Sequence, residues 1–292
     1  MTATTVLTLG DVAVDVIVEA EVIALDDDRD APIELHVGGQ AANVARWVSI
    51  LGRRSGLLTQ DLGDDVASRF AREVLDREGV DVLPAFDEAQ VPVICSFVAD
   101  GRRTLLSDDG GVDYRSRTTW EDLVSDRPGW LHVSGYALAR CRDIGSLMRL
   151  LQGAVSHGWQ VTVDLSAISV VERLGGSTVV DLIEEIAVTA VFGNDAEWAA
   201  LGPAADRVVA ARIIKHGADG CTFVPGSAEG GGSLHLDAVP TNVIDPTGAG
   251  DALAAGWLVG GPPLAMATAA RCLAVRGGVP IQTDDKRRNE SR

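Results

Sequence analysis

Lysine is almost missing from this 292-residue chain: Lys215 and Lys286 stand against 23 arginines, and Asp plus Glu outnumber Lys plus Arg 42 to 25. The formal net charge is −17 and the isoelectric point about 4.6. No surplus of positive charge is available to follow a phosphate backbone, which argues against a nucleic-acid surface, and no nucleic-acid partner is expected. The same balance repels small anionic substrates unless local arginine or a bound cation reverses the field. The skew from lysine to arginine reads as coding bias, so rarity alone gives Lys215 no special weight. Only four cysteines occur (Cys95, Cys141, Cys221 and Cys272), far apart and without metal-ligand spacing. A disulfide framework is not expected at this size, and five histidines without a His-Glu-x-x-His pattern offer no zinc site.

A basic N-terminal segment is also missing. The first basic residue is Arg29, and Asp11 and Asp15 interrupt the first apolar run, so the start does not read as a secretory signal. The uncharged stretch 252–270 is long enough to span a bilayer, but Gly260-Gly261-Pro262-Pro263 breaks it. Two short buried helices, a cytoplasmic location and no membrane contact are therefore expected. No Gly-x-Gly-x-x-Gly follows the first strand near Leu9, which argues against a nicotinamide dehydrogenase.

What the chain does have is a 46% hydrophobic share, ample for a core. Strand-like runs at 6–9, 56–59, 130–133, 161–164, 187–192, 212–215 and 221–224 alternate with helical patterns. The helices are expected at 41–51, 64–78, 143–157, 178–186, 195–201, 204–210, 249–259 and 264–276. Such alternation predicts an α/β fold with a mostly parallel sheet covered on both faces. Residues 12–37 and 91–108 break it, reading as strands without crossover helices. Residues 226–233 form a Gly- and Ser-rich loop, and 283–292 a charged, frayed tail.

The most informative stretch is 244–258, Ile-Asp-Pro-Thr-Gly-Ala-Gly-Asp-Ala-Leu-Ala-Ala-Gly-Trp-Leu. Gly248, Ala249 and Gly250 allow backbone N–H groups to face an anion at the start of an Ala-rich helix. Asp251 then sits at the mouth of an anion site, where a carboxylate suits proton removal from a hydroxyl attacking a phosphoryl group. Its unperturbed pKa is about 3.9, that of a weak base ionised at neutral pH. A helix cap and a plain turn are the alternative reading.

Asp-Pro-Thr-Gly-Ala-Gly-Asp-Ala resembles the C-terminal signature of the PfkB carbohydrate kinases, the ribokinase-like family, with Pro246 and Leu253 as variants. Val37-Gly38-Gly39-Gln40-Ala41-Ala42-Asn43-Val44-Ala45 resembles the family's N-terminal Gly-Gly-x-x-x-Asn-x-Ala signature. Shorter segments agree in order: Gly10-Asp11 with Asp15, Leu62-Gly63-Asp64-Asp65, Asn194-x-x-Glu197, Lys215-His216-Gly217-Ala218-Asp219-Gly220, and 274–280. Together they cover roughly residues 6–281.

The resemblance implies a single three-layer α/β/α domain over 1–292, Rossmann-like and ribokinase-like, with a small inserted β lid from 12–37 and 91–108. It also implies a homodimer through that lid. The implied activity is ATP-dependent phosphorylation of a hydroxyl on a sugar or sugar-like molecule. Asp251 is then the base, and the amides of Gly248, Ala249 and Gly250 form the anion hole. Asp15, Gly38, Gly39 and Asn43 would hold the acceptor. Arg103 would contact an acidic acceptor or a phosphate, or else mark a solvated hairpin tip. Asn194, Lys215, Gly217, Gly220 and Thr247 would face the nucleotide. Glu197, with Asn194, would arrange Mg²⁺, and Asp245 with Thr247 would face a monovalent cation such as K⁺ or form a turn. Two departures separate the chain from ribokinase-type sites. Ser134-Gly135-Tyr136 has no Glu where they place one, and Asp164-Leu165-Ser166-Ala167 lacks the Asn and Arg of Asp-x-Asn-x-Arg. Ribose is therefore not the first choice. A nucleoside kinase, or a non-catalytic nucleotide- or sugar-binding protein on the same scaffold, remains open.

Overall fold

The computed structural model describes residues 5–20, 22, 28, 30–99, 102–108, 110–123, 127–228 and 230–280. The expected tail at 283–292 lies outside the described residues. In chain order, β1 (Val6–Leu9), β2 (Ala13–Glu19) and β3 (Ile33–Gly38) precede α1 (Gln40–Ile50). Next come β4 (Ser55–Leu62), α2 (Val66–Arg77), β5 (Val80–Ala89), β6 (Val93–Ala99) and β7 (Arg102–Ser107). A short α3 (Trp120–Leu123) leads to β8 (Trp130–Ser134), α4 (Gly135–Arg140), α5 (Ile144–Ser156) and β9 (Gln160–Asp164). Then follow α6 (Ile168–Leu174), α7 (Gly176–Ile186), β10 (Ala190–Asn194) and α8 (Asp195–Ala200). Strands β11 (Ala211–Lys215), β12 (Cys221–Val224) and β13 (Leu234–Leu236) and helix α9 (Ala249–Leu273) complete the described chain.

Nine strands form one sheet in the order β13-β12-β11-β10-β9-β8-β1-β4-β5. From β11 to β5 every neighbouring pair is parallel, while β12 and β13 add antiparallel edges. Parallel sheets require cover on both faces, and β1 shows why its run is continuously apolar. Val6 packs with Val44, Trp47 and Val48 of α1 and Ala252 and Leu253 of α9. Leu7 and Leu9 enter the opposite core with Leu131, Val133, Leu147 and Leu151.

The segments 12–37 and 91–108 supply a second, four-stranded sheet in the order β3-β2-β6-β7. Strand β2 runs antiparallel to β3 and parallel to β6, with Asp15 opposite His36. Ile33, Leu35, Leu105 and Leu106 on this sheet are exposed.

Two local differences from the sequence reading stand out. The strand expected at 187–192 begins at Ala190, because Ala187 adopts the left-handed conformation (φ 59°) that ends α7. The helix expected at 204–210 is a 3₁₀ stretch, Gly202–Arg207. The two helices expected at 249–259 and 264–276 are both present, separated by a kink at Gly260 and Gly261 where the backbone leaves helical geometry, and together they make up α9. This α9 is long and apolar enough to cross a membrane by composition, yet half of its most apolar window is buried in the protein, as in a core helix.

The parallel strands β1, β8, β9, β10 and β11 end on the same side. Asp11, Ser134, Asp164, Asn194 and Lys215 therefore reach one crevice, and strand order reverses on either side of β1. That is where open α/β sheets bind ligands.

Candidate active site

Helix α9 begins with Gly248 in the left-handed region (φ 74°), where a β-carbon would come within 2.9 Å of the Gly278 Cα. Only glycine fits this turn. The N–H groups of Gly248, Gly250 and Asp251 make no hydrogen bond among the described residues, whereas that of Ala249 reaches the Pro246 carbonyl at 3.4 Å. Unclaimed donors at a helix N-terminus make an anion cradle.

Asp251 lies in the first turn of α9 and is half-buried. Its Oδ2 accepts a 2.9 Å hydrogen bond from Asn43 Nδ2. Burial pushes its pKa up to about 8; Asp164 and Asp11 add to the rise, and Asn43 and Lys215 oppose it. The ordinary aspartate value expected from sequence therefore does not hold in the folded protein. Proton affinity of this size makes Asp251 a stronger base than a free carboxylate.

Asn43 is carried by α1, whose start is fixed by Gly38 and Gly39. Gly39 has φ 93°, and a β-carbon there would lie 2.6 Å from the Asp11 carbonyl oxygen. With no side chain at that cap position, Asp11 does the capping: its Oδ2 accepts from Gln40 N at 3.1 Å and its carbonyl from Ala42 N at 3.2 Å. Asp11 Oδ1 and Asn43 Oδ1 are buried without a partner. Asp15 lies over Gly38, where a β-carbon would meet its Oδ2 at 2.2 Å.

Below the cradle, Lys215 Nζ donates to Asp164 Oδ2 at 2.9 Å. A β-carbon on Gly250 would lie 3.3 Å from that same Nζ. Burial alone would lower the Lys215 pKa, but Asp164, Glu197 and Asp251 outweigh it and hold it above the usual range. Asn194 and Glu197 close a capping box on α8: Glu197 N donates to Asn194 Oδ1 at 2.9 Å, and Asn194 N donates to Glu197 Oε2 at 2.8 Å. Asn194 Nδ2 also donates to Glu197 Oε1 at 2.7 Å. Burial raises the Glu197 pKa.

Other expected residues shape the surrounding turns. Gly217 (φ 61°) and Gly220 (φ 94°) make the β11–β12 turn, in which His216 N donates to the Gly220 carbonyl at 2.9 Å. Asp245 Oδ1 accepts from Thr247 N at 2.9 Å and Oδ2 from Gly277 N at 3.0 Å, tying the motif to the 277–278 turn. Arg103 belongs to β7, and its side chain lies outside the described residues. No group of three or more His, Cys, Asp or Glu among the described residues has the arrangement of a metal cage.

Asp11 and Gln40 were not singled out from sequence. Asp11 was visible only as part of Gly10-Asp11, and its capping of a helix that starts 29 residues later had no sequence signal.

The family model described as pfkB family carbohydrate kinase matches residues 3–261. The chain is 30% identical over 243 residues to aminoimidazole riboside kinase of Salmonella typhimurium (strain LT2), covering 76% of this chain and 72% of that protein. It is 28% identical over 284 residues to the bifunctional protein HldE of Caulobacter sp. (strain K31), covering 86% of this chain but only 54% of the longer protein. A putative ribokinase II from E. coli, solved in complex with ATP and Mg²⁺, superposes with a TM-score of 0.75 at 17% identity over 96% of both chains. The fold is ribokinase-like, and the chain belongs to the pfkB family of carbohydrate kinases, phosphotransferases acting on a hydroxyl group.

Proposed function

We propose that this protein transfers the γ-phosphoryl group of ATP to a hydroxyl of a sugar or sugar-like acceptor, with Asp251 as base. The observation that carries the reading is the 2.9 Å contact between Asn43 and Asp251. It joins the two family signatures at a helix start where the amides of Gly248, Gly250 and Asp251 have no partner among the described residues. The acceptor lies against Gly38, Gly39, Asn43 and the Asp11–Asp15 segment, and Asp251 takes the proton of the attacking hydroxyl. With a pKa of about 8, roughly a tenth of Asp251 is ionised at pH 7 in the free protein. The Gly248 and Gly250 amides stabilise charge growing on the transferred oxygens. Lys215 supports Asp251 from below and offsets part of its desolvation.

The fit to Mg²⁺ is of the water-mediated kind. Asn194 and Glu197 spend their polar atoms on each other, so an ion would be held largely by phosphate oxygens and waters, with Glu197 in the outer shell. When bound, Mg²⁺ supplies charge neutralisation between the phosphates. We assign Asp245 to its turn, since both oxygens accept backbone amides. Lys215, Gly217, Gly220 and Thr247 line the nucleotide side.

The small sheet acts as a lid, and its exposed Ile33 and Leu35 (63% and 55%) favour a homodimer through that face. Light scattering at micromolar concentration should give twice the chain mass; a monomer that turns over normally would remove the dimer.

A nucleoside acceptor is the second reading, favoured by the riboside kinase relative. The test for both is an ADP-release screen with Mg-ATP against sugars, sugar acids, sugar phosphates and nucleosides. Acceptor-dependent ADP release is expected. ATP binding by calorimetry with no ADP release for any acceptor would establish a non-catalytic binding protein instead.

A further inference from the structure

The departures at the ends of β8 and β9 build something of their own. Ser134 and Ser166 converge on one side chain, Gln40, the residue that opens α1. Ser134 Oγ donates to Gln40 Oε1 at 2.7 Å, and Ser166 Oγ donates to the same oxygen. The proton bookkeeping is consistent. Ser134 Oγ accepts from Tyr136 N at 3.3 Å, which leaves its hydroxyl proton to point at Gln40, while Ser166 Oγ accepts from Gly135 N at 2.8 Å and shares its proton between Gln40 and the Asp164 carbonyl at 3.2 Å. The 2.7 Å separation also matches O–H···O better than N–H···O.

Ser166 holds its place in a left-handed conformation (φ 69°) that serine seldom adopts, fixed by a 2.7 Å bond from its N–H to Asp164 Oδ1. Strain kept in this way gathers at functional positions. With its carbonyl oxygen locked, the Gln40 amide can present only its NH₂ to the crevice. That nitrogen makes no hydrogen bond among the described residues and is not sealed from solvent. Gln40 and Asn43 are three apart on α1, so they share a face, and the NH₂ stands about one helical turn from the Asn43–Asp251 contact.

We propose that Gln40 is a specificity-determining residue whose amide NH₂ donates to a carbonyl or carboxylate oxygen of the acceptor, selecting polyhydroxy acids and keto sugars over fully reduced polyols. The inference rests on the kinase reading above. A carboxylate at this wall would instead select hydroxyl donors. Serine and glutamine reverse that polarity, giving the acceptor a donor pair that is fixed before it binds.

The test compares wild type with Gln40→Glu and Gln40→Ala, using kcat and KM for Mg-ATP and for a panel of aldonic acids, keto sugars, aldoses and alditols. ADP release by wild type with any acceptor decides the kinase reading separately. The proposal predicts that wild type prefers acids and keto sugars to matched alditols. Gln40→Glu, nearly isosteric, then raises KM for the aldonic acids about 100-fold, and Gln40→Ala raises it about 10-fold, with KM for ATP within twofold of wild type. The Gln40→Glu loss is smaller for aldoses and alditols. An equal loss across all acceptors and ATP would assign Gln40 to structure alone and overturn the proposal. So would unchanged acid KM in Gln40→Glu, or a wild-type preference for alditols.

Discussion

A carboxylate kept for chemistry should weaken the fold that holds it, and Asp251 allows that cost to be measured. Its pKa rises from 3.8 to about 8 on folding, chiefly through burial. Between those values the unfolded chain has lost this proton and the native protein has kept it. The unfolded state therefore binds fewer protons, and stability falls as pH rises through the window, levelling off above pH 8. At about 1.36 kcal/mol per unit, wild type loses about 3–4 kcal/mol between pH 5 and pH 8 from this group alone. Asp251→Asn keeps the shape and the acceptor for Asn43 but has no proton to lose. Guanidinium unfolding followed by tryptophan fluorescence at pH 5, 6, 7 and 8 should show the variant pulling ahead of wild type by about that amount across the range. A gap between the two proteins that stays constant with pH would refute the burial argument for Asp251.

Three further outcomes are expected. Lys215→Met removes a cation that lowers the Asp251 pKa, so the acid limb of kcat/KM, expected near pH 8 in wild type, should move to higher pH; an unmoved limb would detach Lys215 from the base. Glu78→Gln leaves Arg46, bonded to Glu78 at 2.5 and 3.0 Å with both side chains under 5% exposed, without its counter-charge. Denaturant titration should show a loss of about 3–5 kcal/mol. Gly39→Ala places a β-carbon 2.6 Å from the Asp11 carbonyl oxygen at φ 93°. It should lower the melting temperature and raise acceptor KM more than ATP KM in steady-state assays.

How far the molecule could be read from sequence depended on whether a signal was local. Strands β1, β8 and β9 are short apolar runs buried on both faces, and the Gly-Ala-Gly-Asp turn carries its own backbone requirement, so each was visible. Strand β5 was missed because Asp81, Pro84 and Asp87 break its pattern; as the sheet edge it tolerates a proline and a register irregularity against β4. Helices α4 and α6 are short, and the β-branched residues of α6 gave no helical signal. The site itself is assembled over long distances. Asn43 meets Asp251 across 208 residues, between two helix starts, and Lys215 meets Asp164 across 51, between two parallel strand ends; neither contact is visible in any window. The residue types were legible, but the raised pKa of Asp251 and the locking of Gln40 by two serines depend on tertiary neighbours.

The most direct test of the central claim is acceptor-dependent ADP release by Asp251→Asn under saturating Mg-ATP. The account predicts kcat lowered about 10²–10⁴-fold with ATP affinity retained, because only the base is removed. Turnover within a few-fold of wild type would contradict it.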